Sequence, residues 1–270
     1  MSNSVVNTRT YASSLMKGLR LLSFFTRQRP EWGVSELSAE LGTAKSTVSR
    51  IARTLEAEGF LVRAPDSDRF HLGLKLWSLG SQVLAQQSDF PHLARRHLEK
   101  IVRDINESAQ AVILDGVEAV YVETVEAPRS IRTHSAIGQR FPLTCTGTGK
   151  ALLAFQPEAF IASQLAKNLK PYTRSTVTDA SKLEKELGRI RKRGFALNKG
   201  EWREDIGGIA APVFGRSGQV VGALGVTMPL ARFPREIASP ATVRIVGVAQ
   251  RLSMELGYLP QNEQHLEVSV

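Results

Sequence analysis

Hydroxyl-bearing and cationic side chains cluster on one side of a short helical pattern near residue 50. Val48, Ile51 and Leu55 are spaced three and four residues apart, so they form the buried stripe of an amphipathic helix. The other faces of that helix carry Lys45, Ser46, Thr47, Ser49, Arg50 and Arg53. Such groups, on a helix slim enough for the major groove, can hydrogen-bond to base edges and phosphates. We therefore predict that these six residues contact double-stranded DNA; a solvated face of a small helical bundle is the alternative.

Two further arginines flank a predicted hairpin turn. The strand-like runs at residues 60–63 and 69–72 are separated by Ala-Pro-Asp-Ser-Asp at residues 64–68, a strong turn signal. Arg63 and Arg69 stand at the two ends of that turn, where a wing would contact the DNA backbone or minor groove. Both are therefore added to the predicted DNA-binding residues.

The residue types that catalysis or metal binding needs do not come together in the sequence. Gly147-Thr-Gly-Lys150 superficially resembles a phosphate loop, but Thr144 replaces its first glycine and Ala151 replaces the magnesium-holding Ser or Thr. The five histidines have no metal-ligand spacing with Cys145 or with a paired acid. We expect no catalytic residue, no metal and no cofactor, and therefore no enzyme. The competing class is an enzyme with an appended DNA-binding domain, which turnover of a bound metabolite would reveal.

Length and composition describe an ordinary globular protein with a basic surface. The chain has 270 residues, a number typical of two domains, with 42% hydrophobic residues and a formal net charge of +9. This charge favours a polyanionic partner such as nucleic acid or an anionic membrane surface. The single cysteine excludes an intramolecular disulfide, and no run approaches the roughly 20 apolar residues that span a bilayer. We expect a cytoplasmic protein with no membrane partner.

The predicted DNA contacts lie in a unit of three helices and a hairpin at residues 10–74. The first helix starts at Tyr11 and is ended by Pro30, because proline cannot continue a helix. Ser35 is the predicted N-cap of the second helix, and Gly42 closes it. The third helix is the one that carries the six candidate contacts. Together these elements predict a winged helix-turn-helix.

A second domain is predicted behind a linker helix. The linker takes residues 75–89, and the second domain takes residues 90–258. Glycine-containing turns at residues 115–116 and 215–218 join pairs of strand-like runs. These runs are at residues 110–114, 119–124, 209–214 and 220–227. Hairpins mixed with helical patterns predict an α+β fold with a mainly antiparallel sheet.

Two separate sets of motifs resemble the IclR family of bacterial transcriptional regulators. In the first unit they are VSELSAELG at 34–42, KSTVSR at 45–50 and LEAEGFL at 55–61. In the second they are FPLTCTGTGKALLA at 141–154, IGGIAAPVF at 206–214 and GQVVGALGVT at 218–227. The two sets occur in the order that the family has them, and the resemblance covers roughly residues 11–257.

The resemblance implies several properties that composition does not. It implies a winged helix-turn-helix joined to a GAF- or profilin-like effector-binding domain, in a homodimer or homotetramer on palindromic operator DNA. Many such proteins control catabolic genes, with an organic or aromatic acid as the effector. We therefore expect a repressor of a catabolic operon. An activator of the same family, or a constitutive DNA-binding protein whose second domain only oligomerises, are the alternatives.

The resemblance also places the effector site. It implies contacts from the turn before the GKALL helix and from three neighbouring strands. The residues so placed are Gly147, Thr148, Asn198, Gly208, Gly225 and Thr227. Asn198, Gly208 and Gly225 stand where relatives that bind small oxoacids have a carboxylate, a thiol and a hydroxyl, which favours a bulkier or aromatic acid here; glycine in a strand can instead serve sheet packing. Arg132 and His134 face either the pocket or bulk water.

Overall fold

A computed structural model describes residues 13–26, 29–65, 67–86, 90–237 and 239–259. The chain divides into two compact units, Met1–Gln87 and Ser88–Val270. The predicted helix start at Tyr11, turn residue Asp66 and linker residues 87–89 lie outside the described residues. The predicted domain limits at 10–74, 75–89 and 90–258 stay predictions.

In the described residues, the first unit contains four helices and a three-stranded antiparallel sheet. Its elements are α1 (Ser13–Leu22), β1 (Trp32–Gly33), α2 (Val34–Leu41), α3 (Lys45–Ala57), β2 (Leu61–Arg63), β3 (Arg69–Leu72) and α4 (Leu74–Gln86). The strands lie in the order β1-β3-β2. Leu21, Leu37, Val48 and Phe70 are fully or almost fully buried in one apolar core. This core fixes α2 and α3 against α1 and the hairpin.

Three details of the first unit differ from the sequence prediction. α1 ends at Leu22 rather than at Pro30, because the chain turns there and the Ser23 hydroxyl donates to the Arg20 carbonyl oxygen at 2.7 Å. The N-cap of α2 is Gly33, not Ser35. The Gly33 N–H donates to the carboxylate of Glu36, three residues along the chain, at 2.8 Å, so this hydrogen bond stands where a hydroxyl cap was expected. The third difference is β1, which the sequence did not predict because two residues are too few to show the alternation of a strand.

The second unit is an α+β domain built on one sheet. Its elements are α5 (Phe90–Ile105), β4 (Ser108–Asp115), β5 (Glu118–Val125), β6 (Arg140–Pro142), α6 (Gly147–Leu153), α7 (Glu158–Leu165), α8 (Ala180–Arg193), β7 (Ala196–Lys199), β8 (Ile206–Phe214), β9 (Val220–Pro229) and α9 (Pro240–Glu255). The six strands lie in the order β6-β5-β4-β9-β8-β7, and every pair is antiparallel. The predicted antiparallel α+β fold is confirmed.

Helices cover both faces of this sheet. α5 and α9 pack on one face around Leu98, Ile245 and Leu252. α6 and α8 pack on the other face around Leu152 and Leu187. The sequence analysis did not predict β6, β7 or α7, which are short and carry weak apolar periodicity. None of the helices in the described ranges is long and apolar enough to cross a membrane.

Candidate nucleic-acid interface and ligand pocket

α2, the turn after it and α3 form a helix-turn-helix. Gly42 has a φ of +58° and caps α2, so the chain reverses within three residues before α3 begins at Lys45. Val48, Ile51 and Ala52 are buried, which turns the opposite side of α3 outward. Four of the predicted contacts are exposed and two are half-buried: Lys45, Ser46, Arg50 and Arg53, then Thr47 and Ser49.

The cationic side chains of α3 are not paired with carboxylates in the described residues. Lys45, Arg50 and Arg53 form no ion pair with any residue in the described part of the chain. The first turn of α3 contains no acidic residue. The exposed side of α3 therefore presents three unneutralised positive charges beside hydroxyl groups, a composition suited to phosphates and base edges.

Arg63, at the end of β2, is held within the hairpin. Its guanidinium lies 2.8 Å from Asp68 Oδ1 and 3.5 Å from Glu56 Oε1, and it stacks 4.7 Å from the centroid of the Phe70 ring. These contacts orient the side chain and partly neutralise it. Any contact with DNA would use the donors that these carboxylates leave free.

Arg69, at the start of β3, faces α2 instead of the hairpin tip. Its guanidinium donates to Glu36 Oε2 at 2.8 Å and to the Glu31 carbonyl oxygen at 3.2 Å. Arg29 binds the other oxygen of Glu36 at 2.6 Å. The Gly33 N–H, with help from these two arginines, lowers the pKa of Glu36 below its ordinary value. The structure thus places Arg63 and Arg69 on different sides of the wing, which the flanking positions alone do not reveal.

A cavity of about 50 Å³ lies in the second unit, beside the start of α6. It brings together five of the six predicted effector residues: Gly147, Thr148, Asn198, Gly208 and Thr227. The other polar lining comes from Thr133, His134, Ser135, Gln139, Thr146 and Arg203, and the aromatic lining from Tyr121 and Trp202. Sequence reasoning missed Arg203, Trp202 and Tyr121, because the loop of Trp202 and Arg203 and the strand β5 of Tyr121 carry no motif.

Gly225 is the predicted effector residue that does not line this cavity. A Cβ built on Gly225 would lie 2.5 Å from Cγ2 of Thr148 and 3.3 Å from the Ala210 Cβ. The space that a side chain would take is therefore filled by Thr148, and the geometry favours the packing role of this glycine. Gly208 differs, since it lines the cavity and a Cβ there would approach nothing closer than 3.4 Å.

Thr227 connects the cavity floor to a buried hydrogen-bond network. Its hydroxyl lies 2.6 Å from Gln110 Nε2 and 2.6 Å from the Thr133 hydroxyl. Gln110 is buried on β4, and its Oε1 has no hydrogen-bond partner among the described residues. Gln110 does not line the cavity, so this network positions the Thr227 hydroxyl and offers a ligand no acceptor of its own.

Of the two candidates Arg132 and His134, only His134 lines the cavity. His134 lines the cavity, and its Nδ1 lies 2.6 Å from Glu126 Oε1. Arg132 does not line it and binds Glu126 Oε2 at 2.7 Å. The hydrogen bonds from Arg132 and His134 lower the pKa of Glu126. The Arg203 guanidinium and the His134 imidazole provide nitrogen donors in the cavity lining, which suit an acid.

Behind α6 lies a buried ion pair that no sequence motif indicates. Lys150 Nζ is 2.6 Å from Glu201 Oε1, and both side chains are nearly inaccessible to solvent. Burial raises the pKa of Glu201, and the Lys150 ammonium opposes that rise. Burial, followed by the nearby Glu201 carboxylate, raises the pKa of the Cys145 thiol to about 12. This thiol is therefore protonated and packed, not a nucleophile.

Both parts of the chain match models of known protein families. Residues 14–65 match the IclR helix-turn-helix domain, and residues 82–254 match the bacterial transcriptional regulator IclR C-terminal domain. The chain belongs to the IclR family. It is thus a DNA-binding transcriptional regulator, and the expected fold class, a winged helix-turn-helix followed by an α+β domain, is confirmed.

Individual relatives of this IclR-family regulator are similar to it over nearly the whole chain, in sequence or in fold. It is 34% identical over 250 residues to the glycerol operon regulatory protein of Streptomyces griseus, covering 90% of this chain and 96% of that protein. The crystal structure of the Thermotoga maritima IclR has a TM-score of 0.77 at 31% identity, covering 91% of this chain and 99% of that one. An IclR homolog of Microbacterium hydrocarbonoxydans complexed with 4-hydroxybenzoate shares the fold, with a TM-score of 0.78 at 24% identity and coverage of 90% and 99%. The matched relatives are regulators, which bears out the expectation that this chain is not an enzyme.

Proposed function

We propose that this regulator represses a catabolic operon and that a small organic or aromatic acid, bound in the cavity beside α6, alters its affinity for operator DNA. The observation that carries the proposal is the combination of unpaired cations on α3 with a second unit whose cavity is lined by an arginine, a histidine, hydroxyls and aromatic rings. A protein that only bound DNA would have no need of such a cavity.

The DNA side of the proposal assigns α3 to the major groove. Lys45, Ser46, Thr47, Ser49, Arg50 and Arg53 would contact base edges and phosphates. Arg63 and Arg69 would contact the backbone beside the groove through donors not used by their carboxylate partners. Of the eight, Lys45, Arg50 and Arg53 combine exposure, a cationic group and the absence of an ion pair among the described residues, and Arg50 is the one that we select for the test.

The ligand side of the proposal rests on the chemistry of the cavity lining. Arg203 and His134 suit a carboxylate, and Tyr121 and Trp202 suit a flat ring. The relative from Microbacterium was crystallised with 4-hydroxybenzoate, an aromatic acid. The enclosed volume of about 50 Å³ is smaller than a typical ligand site. An aromatic effector would therefore have to displace the rim, and we propose that this displacement is the signal passed to the first unit.

We propose that the protein acts as a homodimer or homotetramer. α1 exposes Leu15 and Leu19, at 64% and 61%, and α4 exposes Leu74 and Trp77, at 84% and 76%. Large apolar side chains exposed to this degree on one unit favour coverage by a second copy. A two-fold dimer would also place two α3 helices on two half-sites of a palindromic operator.

Repression is the proposed direction of control because it needs operator occupancy alone, whereas activation needs a further surface for the transcription machinery. An activator remains the competing proposal, and a reporter gene driven from the operator distinguishes them. Loss of the regulator should raise expression if it represses and lower expression if it activates. We place its action in the cytoplasm, where bacterial operator DNA lies.

The DNA contacts are tested by fluorescence anisotropy on the DNA upstream of the gene, against scrambled DNA and at two salt concentrations. Arg50→Ala should weaken specific binding by about 1–3 kcal/mol if Arg50 reads a base, or reduce the salt slope by about one if it binds a phosphate. Arg174→Ala removes the same charge from an exposed site on the second unit and is the matched control. Unchanged affinity and salt slope in Arg50→Ala would remove Arg50 from the contact set.

The ligand site is tested by adding a panel of short and aromatic acids to the same assay. Gly147→Leu should abolish the response to the active acid and leave basal operator binding intact, because the new side chain would occupy the cavity beside Gly208. Gly188→Leu, on an open part of α8 with no atom near its Cβ, is the control. A normal response in Gly147→Leu would move the effector site elsewhere.

A further inference from the structure

A second and larger cavity lies at the outer edge of the sheet in the second unit. Its volume is about 390 Å³, and it shares no lining residue with the cavity beside α6. β7 is the last strand of the sheet, so one of its edges has no neighbouring strand in the described part of the chain. The cavity is an open groove that lies between that edge and α8.

One stripe of α8 supplies most of the wall. Lys182, Lys185, Glu186, Arg189 and Arg193 line the cavity. They recur at three- and four-residue steps, the spacing that puts side chains on one face of a helix. Leu183, Leu187 and Ile190 occupy the buried face of α8 and fix the direction of this stripe.

The rest of the lining adds two more cations and one more carboxylate. Lys199 comes from β7, and the buried Lys150–Glu201 pair forms part of the floor, beside Val177 and Leu197. In all, six cationic side chains and two carboxylates line the cavity, a surplus of four positive charges. If the net charge of +9 were spread evenly over the 270 residues, ten lining residues would carry far less than four positive charges.

The two carboxylates do not neutralise the wall. Glu186 is bound by Arg193 at 2.7 Å and lies 3.6 Å from Arg189, and Glu201 is bound by Lys150 at 2.6 Å. Lys182, Lys185 and Lys199 have no carboxylate partner among the described residues. Like charges facing one cavity repel one another, and an anion that bridges them relieves this repulsion.

We propose that this groove binds a compact polyanion, a small molecule that carries two or more phosphate or carboxylate groups. Lysine and arginine donors form strong charge-assisted hydrogen bonds with both groups. A volume of about 390 Å³ falls in the range of small-molecule sites. This site is additional to the effector cavity and does not depend on the proposed function.

Duplex DNA is a poorer fit to the same charges. The cations line a concave groove between a helix and a strand edge, and a rigid duplex is too wide to enter it. Polyanion binding therefore has to be measured separately from operator binding, with the full-length protein in each case.

The test is isothermal titration calorimetry of the full-length protein at physiological salt, with tripolyphosphate and citrate as the probes. The groove variant is Lys182→Gln, Lys185→Gln and Arg189→Gln combined. The control combines Lys170→Gln, Arg174→Gln and Lys192→Gln, which removes the same charge from exposed positions that line neither cavity. Circular dichroism checks that both variants are folded.

We expect the wild type to bind one equivalent of at least one probe per chain. The groove variant should bind about tenfold more weakly or worse, since three charged contacts are lost, and the control should stay within about twofold of the wild type. Binding of tripolyphosphate alone assigns the site to phosphates, and binding of citrate alone assigns it to carboxylates. Failure of both probes to bind, equal losses in the two variants, or wild-type affinity in the groove variant would each overturn the proposal.

Gly147→Leu separates this inference from the proposed function. That substitution fills the cavity beside α6 and leaves the groove untouched, so polyanion affinity should be unchanged when the effector response is lost. A parallel loss of polyanion affinity would show that both ligands use the first cavity, and would overturn the assignment of a second site.

Discussion

Replacing Lys150 with methionine should strongly destabilise the second unit. The Lys150 and Glu201 side chains are only 3% and 10% exposed, and 2.6 Å separates Nζ from Oε1. Methionine keeps most of the aliphatic stem of lysine and removes the ammonium. Lys150→Met would therefore leave the Glu201 carboxylate buried without its cation, the costliest way to break a buried ion pair.

The size of the loss is bounded by protonation of Glu201. An uncompensated buried carboxylate escapes its charge by taking up a proton. At pH 7, protonating an ordinary glutamate with a pKa of about 4.3 costs about 1.36 kcal/mol for each of roughly 2.7 pH units, or about 3.7 kcal/mol. The cost of the unpaired carboxylate cannot exceed that of protonation, so we expect the free energy of unfolding to fall by about 3–3.7 kcal/mol. For a unit of this size, that is a decrease in melting temperature of about 6–15 °C.

The loss of stability in Lys150→Met should become smaller as the pH falls. Burial raises the pKa of Glu201 in the folded state, and removing Lys150 removes the group that opposes this rise. A carboxyl whose folded pKa exceeds its unfolded pKa destabilises the fold progressively as pH rises between the two values. The gap between Lys150→Met and the wild type should therefore narrow on acidification from pH 7 to pH 5.5, by at most about 1.4 kcal/mol for each pH unit.

Urea denaturation followed by circular dichroism, at pH 7 and pH 5.5, measures both quantities. Lys192→Met applies the same substitution to an exposed lysine of α8 and should change the free energy of unfolding by less than about 0.5 kcal/mol. Combining Lys150→Met with Glu201→Met removes both charges and should recover most of the loss. A single variant as stable as the wild type at pH 7, or a gap that widens on acidification, would refute this account of the pair.

Two other outcomes concern buried groups in the two units. Because burial raises the pKa of Cys145 to about 12, iodoacetamide at pH 8 should label the thiol slowly in the folded protein and rapidly in urea. Fast labelling of the folded protein, followed by mass spectrometry, would contradict this burial. A Cβ on Gly73 would lie 2.1 Å from the Gly59 carbonyl oxygen, so Gly73→Ala should lower the melting temperature of the first unit. Gly80→Ala, with no atom near its Cβ, should leave that temperature unchanged or raise it slightly, and equal effects would argue against the clash.

Local features of the sequence were sufficient to predict the helix-turn-helix and the hairpins of the sheet. The three- and four-residue spacing of Val48, Ile51 and Leu55 predicts both α3 and its outward face, because a helix repeats every 3.6 residues whatever surrounds it. Gly42 predicts the tight reversal before α3, because glycine adopts the left-handed backbone conformation of such a turn more easily than other residues. The motif resemblance extended this local information to the sites.

The cap of α2 shows where local reasoning reached its limit. Ser35 has a side chain suited to capping, yet α2 begins one residue before it, at Val34. The strand pairing of Gly33 with Arg69 places the start of α2 earlier, and Glu36 then bonds the Gly33 N–H. A contact across 36 residues of chain therefore overrode a local preference.

The sequence by itself determined the two-part organisation, the amphipathic helices and the residue types available for DNA and ligand contact. Only the tertiary structure decided which of those residues meet. It joined Arg69 to Glu36 and Thr227 to Gln110, and it filled the space beside Gly225 with Thr148. It also gathered the cations of α8 and β7 around one groove. Periodicity reports which way a side chain points on its own element, whereas meeting a partner depends on how distant elements pack, and packing is a property of the whole fold.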